Sequence, residues 1–311
     1  MERRDFIKKT SVAAGLTLLP SIPLFANTKD VKRITILHTN DQHSRIEPFE
    51  PSSNQVTSNK GGFARRSSLI HQIRQQEKNV LLLDAGDVFQ GTPYFNMFGG
   101  ELEYKLMTKM KYDAGTIGNH EYDGGLDGLQ KALKHAGFDI LSSNYDFSQT
   151  ILEGAFKPYK IIIKDRIKIG IFAVGVELYG LVDPRIYKET KYLNPIEIAQ
   201  HYSNKLKNEE KCDLVICLSH LGYEYKGEKK VSDVVLAKQT KDIDFIIGGH
   251  THTFLPEPEV HLNAANKPVL INQVGWAGLY LGRVDFNFQK GELKGYTSYK
   301  LNEMQINEFI V

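Results

Sequence analysis

The chain has 311 residues, enough for one large domain or two smaller ones. Its composition, 41% hydrophobic and 24% charged, is typical of a soluble globular protein with a sizeable core. The net charge is +2 and the first 26 residues account for it, so the near-neutral remainder does not suggest binding to a nucleic-acid polymer.

Residues 1–26 are predicted to be a signal peptide and not part of the fold. Arg3 and Arg4 form a twin-arginine pair, and the apolar stretch SVAAGLTLLPSIPLF follows. Two prolines interrupt this stretch, which is too short to span a bilayer comfortably. The pattern resembles a twin-arginine export signal, which would deliver the protein to the periplasm or outside the cell. Cleavage near Ala26 and retention as an uncleaved anchor are the two alternatives.

Residues 30–311 alternate apolar runs with amphipathic stretches and are interpreted as one domain. Eight runs are predicted to be strands: 33–41, 79–87, 112–120, 138–144, 167–175, 212–220, 244–250 and 268–275. Four stretches have helical spacing: 61–78, 100–111, 126–137 and 195–211. We predict a hairpin over 282–301 that turns at Lys290-Gly291, and a flexible loop over 48–62. Strand-helix alternation favours an α/β architecture.

Cys212 and Cys217 are the only cysteines, and both fall in one predicted strand. Residues five apart on a strand point to opposite faces, so we expect no disulfide between them. They are predicted to be buried thiols and not metal ligands.

The most informative pattern lies at the ends of the predicted strands. Five of these ends carry side chains that can bind metals: Asp41, His43, Asp87, Asn119, His220, His250 and His252. Ligands of α/β sheets gather beyond the carboxyl ends of the strands, so these side chains are expected to meet. Each one alone could be a turn residue, since Asp, Asn and Gly are common in turns. Their joint occurrence favours a functional site.

Carboxylate, imidazole and amide oxygen ligands together suit Zn, Mn or Fe. Seven ligands are too many for one tetrahedral zinc but suit two divalent metal ions that share a bridging carboxylate. Such pairs sit about 3.5–4 Å apart and catalyse in-line phosphoryl displacement. The expected chemistry is therefore attack of a metal-activated water on a phosphoryl group.

The motifs DQH, GD, GNHE, SH and GHTH occur in the order typical of the calcineurin-like metallophosphoesterases. The longer strings ILHTNDQH, LLLDAGDVFQGTP, IGNHEYD, LVICLSHLG and IIGGHTH resemble the N-terminal catalytic domain of the 5'-nucleotidase and UDP-sugar hydrolase family. This resemblance covers roughly residues 32–290. It implies a four-layer α-β-β-α sandwich with a dinuclear metal site at the C-terminal ends of the strands.

The resemblance also implies two sets of metal ligands and a bridge between them. The first set is Asp41, His43 and His252. The second set is Asn119, His220 and His250, and the bridge is Asp87. His250 and His252 would then serve one metal each, since an extended segment points them in different directions.

His120 resembles the catalytic histidine of the family, which does not bind metal, and Asp123 resembles its orienting partner. The carboxylate, three residues further on, can reach one imidazole nitrogen, and the other nitrogen could contact the phosphate or protonate the leaving oxygen. Gly118 and Gly249 are predicted to allow sharp turns after strands and to leave space beside the metals.

Several residues have both a structural and a functional interpretation. His38 is predicted to support the ligands or to lie in the core. Arg65 is predicted to support the fold and not to clamp phosphate. Three aromatic residues could line the substrate mouth, although core positions are favoured: Tyr94, Phe95 and Phe98. Four histidines are predicted to be ordinary surface residues: His71, His135, His201 and His261.

Members of the resembled family with nucleotidase activity usually have a second domain whose aromatic residues stack the nucleobase, and this chain is expected to stop near the end of the catalytic domain. Stacking would then come from loops of this chain, from a separate nucleotide-binding subunit, or not at all. The leading prediction is a periplasmic or secreted phosphomonoesterase acting on nucleotides. The alternatives are a cyclic-nucleotide phosphodiesterase, a broad-specificity phosphatase, and a non-catalytic subunit.

Overall fold

The structure is a computed structural model that describes residues 31–227, 230–300 and 304–306. The predicted signal peptide lies outside these residues. The strands are β1 (Val31–Thr39), β2 (Val80–Asp84), β3 (Ala114–Thr116), β4 (Asp139–Leu141), β5 (Tyr145–Asp146), β6 (Tyr159–Lys164), β7 (Ile167–Gly175), β8 (Lys191–Tyr192), β9 (Leu214–His220), β10 (Phe245–Gly248), β11 (Glu259–Leu262), β12 (Pro268–Asn272), β13 (Gly282–Gln289) and β14 (Glu292–Ser298).

The α-helices are α1 (Phe63–Gln76), α2 (Pro93–Phe98), α3 (Glu101–Lys109), α4 (Gly125–Leu133), α5 (Pro184–Tyr187), α6 (Pro195–Asn204) and α7 (Asp233–Gln239). A 3₁₀ turn covers His120–Tyr122, and a π-helical turn, Lys205–Glu209, continues α6. Within the described residues, no helix has the length and apolar character needed to cross a bilayer.

Two six-stranded sheets form the centre of the fold. The first has the order β14-β13-β1-β2-β3-β4, and the second has the order β11-β12-β10-β9-β7-β6. β1 to β4 run parallel to one another, as do β7, β9, β10 and β12, whereas the hairpin strands and the outer strands β6 and β11 pair antiparallel. The parallel strands therefore direct their carboxyl ends to one edge of each sheet.

Three apolar layers hold the sheets and helices together. Ile36 of β1 packs between the two sheets, while its neighbour Leu37 packs against α1 and α3 on the outer face. On the second sheet, Ile216 faces the inner layer and Val215 faces α6 and α7. Because both faces of these strands are covered, their sequences are continuously apolar. The predicted four-layer α-β-β-α sandwich is confirmed.

The eight predicted strands, the four predicted helices and the C-terminal hairpin are all present, most of them with shorter bounds; β7 has the predicted bounds, and β1 begins and ends two residues earlier than predicted. Seven strands and helices were not predicted: β5, β6, β8, β11, α2, α5 and α7. β6 lies at the edge of its sheet and is half-exposed along its length, so it lacks the buried apolar pattern that identified the central strands.

Cys212 and Cys217 are free and buried, as predicted. The predicted opposite orientation is wrong, because Cys212 precedes β9 and is not part of it. Both side chains pack in the apolar layer between the second sheet and its helices.

The hairpin contributes to the core through Phe286, which is buried between the sheets with its ring centroid 5.7 Å from that of Phe245. We expect Phe286→Ala to lower the free energy of unfolding by about 3–5 kcal/mol, since it removes buried apolar surface and leaves a cavity. Leu293→Ala, at a position 37% exposed on β14, should cost about 0.5 kcal/mol or less. Chemical denaturation measures both values. Equal, small losses would contradict this packing.

Candidate metal centre

All nine predicted site residues lie together where β1, β2, β3, β9 and β10 end. The first sheet supplies Asp41, His43, Asp87, Asn119, His120 and Asp123, and the second supplies His220, His250 and His252. The site therefore spans the seam between the two sheets.

One group of donor atoms consists of Asp41 Oδ1, His43 Nε2 and His252 Nε2. The two imidazole nitrogens lie 2.8 Å apart. The carboxylate oxygen is 3.5 Å from His252 Nε2 and 4.0 Å from His43 Nε2. Ligand atoms that share one ion at about 2.0–2.2 Å are themselves roughly 3–3.5 Å apart. The three observed distances, from 2.8 to 4.0 Å, bracket this spacing, so these residues are placed to share one ion.

A second group consists of Asp87, His220 and His250, with Asn119 beside it. His220 Nε2 lies 3.0 Å from Asp87 Oδ2, and His250 Nδ1 lies 2.8 Å from Asn119 Oδ1. Asp87 also belongs with His43 to a further group of close donor atoms. Its carboxylate consequently lies between the two ligand sets.

The position of His220 beside Asp87 indicates that the second group of donor atoms suits a cation. Its Nδ1–H donates to the carbonyl oxygen of Ala85 at 2.7 Å, which leaves Nε2 as the atom that faces the site. Nε2 is buried and forms no hydrogen bond of acceptable geometry with any described residue, although Asp87 Oδ2 lies 3.0 Å away. Against burial, the Asp87 carboxylate raises the pKa of His220 to about 10, so either a proton on Nε2 or a metal ion bound to both atoms would satisfy this contact.

The backbone at the site is strained. Five of the seven predicted ligands have a left-handed backbone, with φ between 48° and 75°: Asp41, His43, Asp87, His250 and His252. Such conformations cost non-glycine residues roughly 1–3 kcal/mol each and cluster at functional sites. Here they turn each side chain back toward the seam immediately after its strand.

Hydrogen bonds between loops hold this backbone in place. Asp41 N donates to Gly86 O at 2.9 Å, and His43 N donates to Asp87 O at 3.0 Å. The Asp41 carboxylate accepts from His250 N, which ties the first sheet to the second.

Glu121 was not among the predicted site residues, yet it organises two of the loops. Its buried carboxylate accepts from the backbone N–H of Gly118, Asp87, Val88 and Phe89. Burial, followed by the nearby Asp87 carboxylate, raises the pKa of Glu121 to about 7. The only sequence signal was its place in GNHE.

His120 and Asp123 form the predicted pair. His120 Nδ1–H donates to Asp123 Oδ2 at 2.7 Å, and both side chains are about one-third exposed. The Asp123 hydrogen bond, together with the Asp87 charge and against partial burial, raises the pKa of His120 to about 9. The imidazole can therefore donate a proton from its other nitrogen near neutral pH.

Gly118 and Gly249 have the predicted spatial role but not the predicted turn role, since neither has a positive φ. A Cβ atom at Gly118 would overlap Asp87 Oδ1 and lie 2.5 Å from His220 Nε2. A Cβ at Gly249 would lie 2.8 Å from His220 Nδ1. Both positions exclude a side chain because the ligands occupy that space.

Two cavities flank the ligands. The smaller, of about 390 Å³, is lined by His43, Arg45, Gln90, Gly91, His120, His252 and Trp276. The larger, of about 760 Å³, has His250 in its wall and extends between the segments that follow β7 and β9. Trp276 was not predicted, and of the residues that line the larger cavity only His250 was a predicted site residue.

The aromatic residues after β2 do not form the substrate mouth, because none of the three occurs among the described residues that line these cavities. Phe95 packs against Phe89 with ring centroids 5.6 Å apart, as favoured from the sequence. Tyr94 is half-buried, and its hydroxyl donates to Glu47 at 3.3 Å. The core prediction is wrong for Phe98, which is 44% exposed.

The remaining candidates have structural roles. His38 is a core residue, with its ring edge against Phe245 and Nε2 3.0 Å from Asn272 Nδ2. Arg65 donates to Asn59 O at 2.8 Å and so supports the loop, as predicted. His71 and His201 are exposed, whereas two histidines predicted at the surface are half-buried: His135 and His261.

Gly118→Ala is expected to keep the fold but to lower the content of bound divalent metal, because the added methyl group displaces Asp87 and His220. Elemental measurement on purified, dialysed protein gives the metal content. Gly128→Ala is the matched control, since a Cβ there enters open space on α4. Equal metal content in the two variants would contradict the proposed crowding.

Comparison with known proteins places this site in a family. Residues 34–254 match the calcineurin-like phosphoesterase family. Members of that family use a dinuclear divalent metal site, and candidate groups for such a site are present here.

Similar proteins include several 5'-nucleotidases. The chain is 39% identical to the snake venom 5'-nucleotidase of Crotalus adamanteus over 248 residues, which are 76% of this chain and 40% of the venom protein. It is 34% identical to the 5'-nucleotidase of Vibrio cholerae over 292 residues, which are 86% of this chain and 51% of that protein. The crystal structure of a 5'-nucleotidase precursor from Thermus thermophilus matches with a TM-score of 0.78 at 34% identity, over 88% of this chain and 55% of that one.

The chain thus spans about half the length of these relatives. The resemblance identified from the motifs is confirmed. Because the family match runs over residues 34–254 and includes every predicted ligand, the chain belongs to the calcineurin-like phosphoesterase family.

Proposed function

We propose that this protein is a dinuclear metal-dependent phosphohydrolase that cleaves phosphomonoesters, and nucleotides in particular. The observation that carries the proposal is the position of the Asp87 carboxylate between two groups of imidazole and carboxylate donors. Its likeness to 5'-nucleotidases at 34–39% identity supports a nucleotide as substrate.

The ligands are proposed to divide as the family pattern implies. Asp41, His43 and His252 would hold one ion, and Asn119, His220 and His250 would hold the other. Asp87 would be shared by the two sets, since a carboxylate has two oxygens and can bind two cations. The mixed oxygen and nitrogen donors suit Zn, Mn or Fe, and elemental analysis of protein from its native source decides among them.

Bound ions supply positive charge that stabilises the phosphoryl oxygens and lowers the pKa of a water molecule. Asp123 holds the His120 ring in one orientation and stabilises its protonated form. His120 lines the smaller cavity, where the nitrogen not bonded to Asp123 can donate a proton to the leaving oxygen or a hydrogen bond to the phosphate. Arg45, in the same cavity wall, adds a positive charge that favours an anionic ester.

The metal-loaded protein is expected to hydrolyse AMP, to lose this activity after chelation, and to regain it when metal is restored. His120→Ala should keep its metals but lose about 10²–10⁴-fold in kcat, because proton transfer is removed. His71→Ala, at an exposed remote histidine, is the control. Phosphate release measures turnover, and elemental analysis measures the ions.

Different results of this assay would favour a phosphodiesterase or a non-catalytic subunit instead. Turnover of bis(nitrophenyl) phosphate without turnover of monoesters would indicate a phosphodiesterase. No turnover with any of the three metals would contradict the enzyme and favour a subunit that pairs with a separate nucleotide-binding chain. Near wild-type activity of His120→Ala would contradict the role of His120.

We also propose export by the twin-arginine route to the periplasm or beyond, which the pair Arg3 and Arg4 supports. Arginine and lysine are not equivalent in recognition, so replacing both with lysine should retain the protein in the cytoplasm. Cell fractionation with immunodetection measures the distribution. Arg33→Lys, in β1, is the matched control, and equal export of both variants would contradict the route.

A further inference from the structure

The larger cavity beside the metal centre has the size and lining of a small-molecule site. Its volume is about 760 Å³, within the usual range for such pockets. Its wall is largely apolar and aromatic: Val176, Tyr192, Ile196, Leu221, Tyr225 and Val231. His250, one of the proposed metal ligands, lies in the same wall, so the cavity adjoins the candidate metal centre.

Tyr179 is placed at this cavity by a tight turn. Leu181 N donates to Leu178 O at 3.0 Å, and Gly180 has a φ of +77°. A positive φ at the third residue is the signature of a type II turn, with the tyrosine at the second position. Leu178 and Val182 are both buried, and they fix the two sides of the turn to the core. The turn that carries the ring is therefore anchored to the core on both sides.

Tyr179 is 80% exposed although it lines the cavity. A large aromatic surface held in water on a fixed turn gains free energy when a flat ligand covers it. Trp276, in the smaller cavity, is less suited to this role. One face of its indole stacks on His252 at an interplanar angle of 11°, and Phe49 packs edge-to-face against it.

We propose that the larger cavity binds the nucleoside part of the substrate, with Tyr179 as the platform on which the base stacks. This inference rests on the proposed nucleotide hydrolysis and adds the subsite that selects the substrate. Glu177, two residues before the platform, also lines the cavity and supplies carboxylate oxygens that can accept from the ribose hydroxyls. The chain thereby carries its own base-recognition site next to the metal ligands.

The test compares AMP with ribose 5-phosphate, which carries the same ester but has no base. Tyr179→Ala is expected to lower kcat/KM for AMP about tenfold, through KM, and to leave kcat/KM for ribose 5-phosphate unchanged. Tyr179→Phe keeps the ring and should behave as the wild type. Phe98→Ala removes another exposed aromatic side chain, outside the cavity wall, and should alter neither substrate.

If Tyr179→Ala lowers kcat/KM equally for both esters, or for neither, the proposed base subsite is wrong, although the proposed hydrolysis is unaffected. If the wild type hydrolyses neither ester, the proposed function fails, and calorimetric titration with adenosine decides the subsite separately. Adenosine binding that weakens in Tyr179→Ala supports it. Absence of binding, or binding that the substitution does not change, overturns it.

Discussion

The geometry of the centre depends on one buried carboxylate. Glu121 accepts hydrogen bonds from four backbone N–H groups that belong to the loops after β2 and β3. These loops carry Asp87 and Asn119, so a single side chain sets the distance between two ligands. A buried carboxylate is costly unless its oxygens are satisfied, and here backbone donors satisfy both of them.

The hydrogen bonds to Glu121, together with others between the loops, also explain how the left-handed backbone of the ligand residues is maintained. Left-handed residues are tolerated only where the surrounding structure determines their conformation. At Asp41 and Asp87 the loops are tied to each other by main-chain hydrogen bonds, and the His250 N–H ties the second sheet to the Asp41 carboxylate. These hydrogen bonds lie in loops that directly follow strands of the two sheets, and the sheets hold the ends of those loops in place.

The continuously apolar strands, which are covered on both faces, predicted an α/β fold, whereas the four layers were expected only from the resemblance of the motifs to a known family. The strand ends indicated the seven candidate ligands, the resemblance added His120 and Asp123, and the structure brings all nine together. The sequence could not show that Asp87 or His252 has a left-handed backbone, since that conformation depends on hydrogen bonds between distant loops. Glu121 and Tyr179 were not predicted for a related reason. Tertiary packing decides whether a single side chain is buried or exposed, and a periodic sequence pattern does not show this.

The position of the centre across the seam has a thermodynamic consequence. Each ligand set draws on both sheets, with Asp41 and His43 facing His252, and Asp87 facing His220 and His250. Ions bound as proposed would act as staples between the halves of the sandwich, and the free energy of their binding would add to that of folding. The resistance of this protein to unfolding would then rise with the concentration of free metal around it. Scarcity of metal would limit the lifetime of the fold as well as the rate of turnover.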